Sequence, residues 1–252
     1  MNKIRLDQAL VQAGMAPSRT KAAALIMAGQ VKVDGRRADK SGHFVGPDAQ
    51  LEILAPPPYV SRGGDKLASV ADKLGLDFKG KIVLDVGSST GGFTDYALQR
   101  GAAKVYAVDV GTGQLDWRLR NDSRVVVAER TDIRDVQELP DPIDIVVIDV
   151  SFISLRLIMP AVVRLSSPQT KVVAMAKPHF EADYVTASKH KGVIKNNTIR
   201  REILKKVEND MRRWFVVIDK ADSQVLGRKG NQERFFLLKL LKNPAAKQSA
   251  KP

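Results

Sequence analysis

Apolar residues recur at Leu6, Ala9, Leu10 and Ala13, a helical spacing that Gly14 ends. Ser18 stands where an N-cap is needed for a second helix carrying Ala22, Leu25, Ile26 and Met27, which Gly29 closes. The period then changes. Val31-Lys32-Val33 alternates as a strand does, Asp34-Gly35 is a hairpin-turn pair, and residues 50–54 form a second short strand. Three prolines, Pro56, Pro57 and Pro58, stiffen the exit and mark a linker over 56–60. The expected organisation is a small α+β module at 1–55, the linker, a larger domain at 61–242 and a disordered tail at 243–252.

Beyond the linker, strands are expected at 81–86, 104–108, 124–128, 145–148 and 171–176. The run Ile145-Val146-Val147-Ile148 is apolar throughout, as in a strand buried on both faces. Helices are expected at 67–74 and 93–100. A basic amphipathic helix is expected at 197–213, with Ile199, Ile203, Leu204, Val207 and Met211 inward and Lys195, Arg200, Arg201, Lys205 and Lys206 outward. Residues 214–220 and 234–241 would pair as terminal antiparallel strands across the turn Gly227-Arg228-Lys229-Gly230. Together these predict a Rossmann-like, doubly wound α/β domain, mostly parallel with a terminal antiparallel strand.

Composition narrows the partners. The 252 residues carry 41 Lys plus Arg against 28 Asp plus Glu, a net charge of +13, which favours nucleic acid or an anionic membrane surface. Cysteine is absent, so neither disulfides nor thiolate metal sites can form, and the cytosol is the natural compartment. The most apolar stretch, 143–159, includes Asp144, Asp149 and Arg156, and no run reaches the ~20 apolar residues of a spanning helix. The N-terminus has no apolar signal core. Three histidines give no metal-ligand pattern, and no metal is expected.

The candidate chemistry begins at the turn Asp85-Val86-Gly87-Ser88-Ser89-Thr90-Gly91-Gly92-Phe93-Thr94-Asp95 between the 81–86 strand and its helix. Strand, glycine turn and helix present backbone N–H groups to a ligand. The spacing is not that of a dinucleotide site, and an acid sits at the strand end, which favours S-adenosylmethionine. Asp85 can accept from its ammonium or from a bridging water. Gly87, Ser88, Ser89, Gly91, Gly92 and Phe93 would line its approach. Asp109 ends the next strand, about where ribose hydroxyls are gripped, and Asp132 is a candidate for the adenine amino group. Asp149 ends the 145–148 strand at the same crevice, and Lys177 ends the next, so the two should form a partly buried pair. Burial lowers a lysine's pKa and a carboxylate raises it, so Lys177 is read as base or orienting donor, with Asp149 steering it. Lys66 and Glu233, each alone, would read as surface charges.

Two resemblances change that. Arg5-Leu6-Asp7, Gly14, Ser18-Arg19, Ala22, Ile26, Gly29 and residues 31–35 resemble an S4-type RNA-binding domain. The resemblance implies phosphate contacts from Arg5, Arg19, Lys21, Lys32, Arg36 and Arg37, with Arg62 beyond the linker. Residues 61–67, 85–95, 149–154, 176–178 and 230–233 are similar to motifs of the FtsJ-type ribose 2′-O-methyltransferases, and S4 module plus this domain resembles the TlyA family of rRNA cytidine 2′-O-methyltransferases, often labelled hemolysins. The resemblance implies that Lys66, Asp149, Lys177 and Glu233 are the catalytic set, S-adenosylmethionine the methyl donor, and ribosomal RNA or ribosomal subunits the partner. His179 departs from the family's usual Gln, and residues 181–195 from its glycine-rich loop. His179, Phe180 and His190 are candidates to stack on or contact a splayed base. Three rivals explain less: a non-catalytic RNA-binding protein leaves the four-residue set idle, a membrane-active cytolysin lacks an apolar segment to insert, and a small-molecule methyltransferase leaves the N-terminal module and the charge unexplained.

Overall fold

The structure is a computed structural model that describes residues 3–55, 57–190, 192–227 and 229–242. The expected tail at 243–252, and Pro56 and Arg228 of the expected linker and turn, lie outside these residues. The chain divides into two compact units, Met1–Pro57 and Pro58–Pro252.

The first unit runs β1 (Ile4–Arg5), α1 (Leu6–Gln12), α2 (Arg19–Met27), β2 (Val31–Val33), β3 (Arg36–Ala38), β4 (Phe44–Val45) and β5 (Leu51–Ile53). Its core is Leu6, Leu10, Ala22, Ile26, Val31 and Val45. Ser18 caps α2 by accepting from the Lys21 N–H at 3.2 Å. Asp34 (φ 50°) and Gly35 (φ 77°) both take left-handed backbone, as a two-residue hairpin between β2 and β3 requires. β2 pairs on its other edge with β5. Met27, read as part of the apolar face of α2, is instead 78% exposed. Strands β1 and β4, two residues each, are too short to leave an alternation in the sequence.

The second unit runs α3 (Arg62–Ala71), β6 (Ile82–Val86), α4 (Gly92–Gln99), β7 (Lys104–Val108), α5 (Trp117–Arg120), β8 (Val125–Ala128), β9 (Ile145–Ile148), α6 (Leu155–Arg164), β10 (Lys171–Ala176), α7 (Pro178–Glu181), α8 (Tyr184–Lys189), α9 (Asn197–Met211), β11 (Phe215–Asp222) and β12 (Arg234–Leu240). The seven strands lie in the order β11-β12-β10-β9-β6-β7-β8. The five from β10 to β8 are parallel, and β12 and β11 are antiparallel. Leu67, Val70, Phe93 and Tyr96 of α3 and α4 pack with Val83, Val105 and Ile145. Ile158, Met159, Leu204, Val207 and Met211 of α6 and α9 pack with Leu84, Val146 and Val172 in a second cluster. Side chains alternate between the two faces along each strand, so both clusters draw on the same strands.

Three features differ from the sequence expectation. Helix α3 begins at Arg62 rather than at 67, so Lys66 lies on the helix and not before it. Gly63 and Gly64 weaken helix propensity, but a Cβ on Gly92 of α4 would lie 2.8 Å from the Gly64 nitrogen, so small residues are needed where the two helices meet. Helix α6 was not expected, and Pro160, a helix-breaking residue, lies inside it. Burial of Leu155, Ile158, Met159, Ala161 and Val162 outweighs that penalty, and Pro160 itself is exposed. Arg200, expected to face outward on α9, is only 6% exposed. Its Nη2 donates to Asp222 Oδ1 at 2.7 Å and its Nε to the Gln232 carbonyl at 3.1 Å. Arg234 donates to the same Asp222 carboxylate at 2.6 and 3.0 Å. Lys195, Arg201, Lys205 and Lys206 are exposed as expected.

Candidate active site

The carboxyl ends of the parallel strands set the site. β6, β7, β9 and β10 are followed by Gly87, Asp109, Asp149 and Lys177. Strand β12 runs the other way, and Arg234 pairs with Ala176. Glu233, one residue before β12, therefore lies at the same edge of the sheet as Lys177, one residue after β10. Antiparallel addition of the last strand brings a residue from near the chain end into the crevice.

At the glycine turn, Gly87 takes φ 82°, and a Cβ there would sit 2.7 Å from the Asp149 carbonyl oxygen. Only glycine lets the β6 turn pass that closely to the end of β9. Ser89 is also left-handed (φ 47°), and its N–H donates to Asp109 Oδ2 at 2.8 Å. The Gly111 N–H donates to Asp109 Oδ1 at 2.6 Å. A cavity of about 380 Å³ opens between these groups, bordered by Gly87, Ser89, Asp109, Asp132, Ile133 and Asp149. A smaller one of about 90 Å³ is bordered by Ser61, Asp85, Ser88, Gly92 and Phe93, with Gly87, Ser89 and Asp149 bordering both. Asp132 is held by Arg134 at 2.6 Å, which lowers its pKa. A Cβ on Gly91 (φ 95°) would collide with Leu119 of α5 and meet Leu115, just before α5, at 2.8 Å, so glycine is also needed for α5 to pack against the turn.

Asp85 is wholly buried. Thr94 Oγ1 donates to its Oδ2 at 2.6 Å, while its Oδ1 is buried with no hydrogen-bond partner among the described residues. Burial pushes its carboxyl up to about 7. The Thr94 hydrogen bond opposes the shift, and the Asp149 and Asp109 charges add to it.

Two lysine–carboxylate pairs form the candidate reaction centre. Lys177 Nζ lies 2.6 Å from Asp149 Oδ1 and donates to Ser151 Oγ at 2.8 Å. Lys66 Nζ donates to Glu233 Oε1 at 3.0 Å, with side-chain exposures of only 12% and 3%. A Cβ on Gly227 would come within 2.8 Å of that same oxygen, and Glu233 Oε2 is buried with no hydrogen-bond partner among the described residues. Beside Lys177 the rings of His179 and Phe180 lie 4.1 Å apart, and Nζ sits 5.7 Å over the Phe180 ring. Burial, then the charges of Lys177, Lys66 and Lys229, hold the His179 imidazole down to about 4, so it is neutral at pH 7. His190 is instead the C-cap of α8.

Sequence reasoning gave Phe152 no role. It is 91% exposed, takes left-handed backbone (φ 64°), and its ring lies 5.0 Å from that of Phe180. An exposed aromatic held in strained backbone beside a reaction centre is a functional signal. Asn231 was also given no role. Its side chain accepts from the Ile194 N–H and donates to the Gly192 carbonyl, both at 2.9 Å, tying the divergent segment to the turn that carries Glu233.

The basic residues of the first unit are partly engaged. Arg5 and Arg19 both donate to the buried Asp7, at 3.0 and 3.1 Å. The Arg5 hydrogen bonds lead in holding the Asp7 carboxyl down at about 2, against its burial. Lys32 pairs with Glu52 at 3.3 Å. Lys21, Arg36 and Arg37 are exposed, and Arg36 and Arg37 border a cleft of about 520 Å³ with Lys40 and His43. In the second unit Arg62 donates to the Leu226 carbonyl.

Comparison with known proteins gives two family matches: an FtsJ-like methyltransferase over residues 59–240 and an S4 domain over residues 4–51. The chain is 40% identical to the 16S/23S rRNA (cytidine-2′-O)-methyltransferase TlyA of Mycobacterium tuberculosis, over 94% of this chain and 90% of that one. It is 37% identical to Hemolysin A of Brachyspira hyodysenteriae, over 91% and 97%. A solved structure from Streptococcus thermophilus superposes with a TM-score of 0.72 at 35% identity, covering 98% of this chain and 94% of that one.

Proposed function

Because the chain belongs to the FtsJ-like methyltransferases, and among them to the TlyA family, we propose that it transfers a methyl group from S-adenosylmethionine to the ribose 2′-hydroxyl of a cytidine in ribosomal RNA. The observation that carries this reading is the pairing at one sheet edge of Lys177 with Asp149 and of Lys66 with Glu233.

The cavities suit the methyl donor. S-adenosylmethionine carries an ammonium, a ribose diol, an adenine and an electrophilic sulfonium methyl. Asp85 borders the smaller cavity, and its Oδ1, without a hydrogen-bond partner among the described residues, would be satisfied by a cation or a water held there. Asp109 borders the larger cavity, its carboxylate oriented by two backbone N–H groups, where it can accept from ribose hydroxyls. Asp132 and Ile133 border the same cavity as candidates for the adenine edge and face.

The residues then have separable roles. Asp149 and Ser151 fix the Lys177 amino group: as an ammonium it can orient the 2′-oxygen, and as the neutral amine it can take the proton that the hydroxyl loses as the methyl is transferred. Glu233 holds Lys66 beside it, adding positive charge where negative charge develops on that oxygen. Phe152 and Phe180 offer a stacking surface for a nucleotide drawn out of its helix. The S4-like unit, with Lys21, Arg36 and Arg37 exposed, adds affinity through the phosphate backbone and raises the local concentration of substrate. A reaction on ribosomal RNA places the protein in the cytoplasm.

The Brachyspira relative's name invites a membrane-active reading. No helix of the described residues is long and apolar enough to cross a membrane, and that reading gives the two buried lysine–carboxylate pairs no task. Nucleoside analysis of ribosomal RNA from cells with and without the gene tests the proposal. Loss of a 2′-O-methylcytidine on deletion supports it; an unchanged set of ribose methylations contradicts it.

A further inference from the structure

The loop that carries Asp149, Ser151 and Phe152 ends at Ser154, the N-cap of α6, whose own side chain makes no capping bond to the helix. The segment that carries Lys177, His179 and Phe180 ends at Glu181 on α7. The Glu181 carboxylate joins the two. Its Oε1 accepts from the Leu155 N–H at 2.9 Å, and its Oε2 accepts from Ser154 Oγ at 2.6 Å. A carboxylate at the first N–H of a helix satisfies a donor that has no partner within the helix and complements the helix dipole. Here that carboxylate comes from a different element, so capping α6 also fixes the distance between two functional segments.

Glu181 is far from an ordinary surface acid. It is half-buried, and burial is the leading cause that raises its carboxyl above the usual range, against the Leu155 and Ser154 hydrogen bonds. Burying a carboxylate is costly, and a cap alone can be supplied by Ser, Thr, Asp or Asn at the N-cap itself. Ser154 already occupies that position, yet its hydroxyl accepts no bond from the helix and donates instead to Glu181. The arrangement costs more than local capping requires. Its distinguishing product is the tie between the end of the Asp149 loop and the end of the Lys177 segment, four residues beyond Lys177.

Resting on the proposed reaction, we infer that Glu181 is a positioning residue for methyl transfer: it holds the segment bearing Lys177 and Phe180 in register with the loop bearing Asp149, Ser151 and Phe152. It borders neither cavity assigned to the methyl donor, so it acts on the geometry of the acceptor side.

The test compares wild type, Glu181→Gln and Glu181→Ala. Three readouts are taken: methyl transfer to ribosomal subunits from a strain lacking the gene, the dissociation constant for S-adenosylmethionine, and hydrogen–deuterium exchange of the free protein. In Glu181→Ala, kcat is expected to fall at least about 10-fold, since misplacement of reacting groups by an ångström can cost about 100-fold, with S-adenosylmethionine affinity unchanged. Gln keeps one acceptor for the Leu155 N–H and should recover much of the loss. Exchange should quicken in Glu181→Ala at residues 150–155 and 177–182 together, while β6 and β7 stay protected. Exchange that rises only at the start of α6, or a kcat equal to wild type, overturns the inference. Should wild type itself methylate neither subunit, the proposed reaction fails, and coupled exchange in the two segments still decides whether Glu181 joins them.

Discussion

Lys177 Nζ lies 2.6 Å from Asp149 Oδ1 because β9 and β10 are parallel neighbours and both end at the same crevice. Ile148 pairs with Ala174, so β10 runs two residues further and places the longer side chain of Lys177 back over Asp149. The side chains are 11% and 22% exposed, enough shielding for the ion pair to hold a fixed geometry.

Replacing Lys177 by Ala should abolish turnover and spare the donor site. A loss of at least about 100-fold in kcat is expected for removal of a group that handles the proton, with S-adenosylmethionine binding within about twofold by calorimetry. The melting temperature should move by only a few degrees, since about 1 kcal/mol corresponds to roughly 2–4 °C in a chain of this size.

Asp85 makes stability depend on pH. Its folded-state value of about 7 lies above its ordinary value of 3.8. Between those values the folded chain binds a proton that the unfolded chain has released, so stability falls as pH rises from about 4 to about 7, then levels off. The slope from this residue is bounded by one proton, about 1.4 kcal/mol per pH unit. Urea midpoints at pH 5 and pH 8 should converge in Asp85→Asn; because the ionised carboxylate is the better acceptor for the ammonium, wild-type affinity for S-adenosylmethionine should rise through neutral pH and that rise should be absent in Asp85→Asn.

Asp222 neutralises two guanidiniums, one of them Arg200 at 8% side-chain exposure. Asp222→Ala leaves the buried Arg200 cation without a counter-charge. Breaking a fully buried pair costs about 3–5 kcal/mol. Asp222 is 31% exposed, so about 2–3 kcal/mol is expected here, read as a melting temperature lowered by roughly 4–12 °C. Arg200 also holds the Gln232 carbonyl next to Glu233, so kcat should fall in the same variant.

Phe152→Ala should separate substrate binding from stability. Nothing buries the ring, which is 91% exposed, so the melting temperature should stay within about 2 °C, as exposed substitutions commonly do. Loss of one stacking platform costs about 1–3 kcal/mol, seen as a rise in KM for RNA or a fall in kcat of about 5- to 150-fold.

Much of this was legible in the chain because strands β7, β9 and β10 are apolar runs whose last residue is followed by a charge. Asp109, Asp149 and Lys177 stand out for that reason, and strand polarity alone puts them on one edge. Arg200 was not legible. Its spacing on α9 groups it with Lys205 and Lys206, and only the approach of Asp222 from β11 turns it inward. The packing role of Gly91 was not legible, because sequence does not show that Leu115 and Leu119 approach it. Helix α6 was not expected, and its Pro160 is a local penalty overridden by tertiary burial. The residues that hold the functional segments, Asn231 and Glu181, bond to partners far away in sequence, and no local pattern marks them.

The most direct test is transfer of labelled methyl from S-adenosylmethionine to separated small and large ribosomal subunits, with Lys177→Ala alongside. The account predicts label in alkali-resistant dinucleotides, where a blocked 2′-oxygen prevents cleavage, and its loss in the variant. Label found only in alkali-labile nucleotides, or transfer that persists without Lys177, would contradict it.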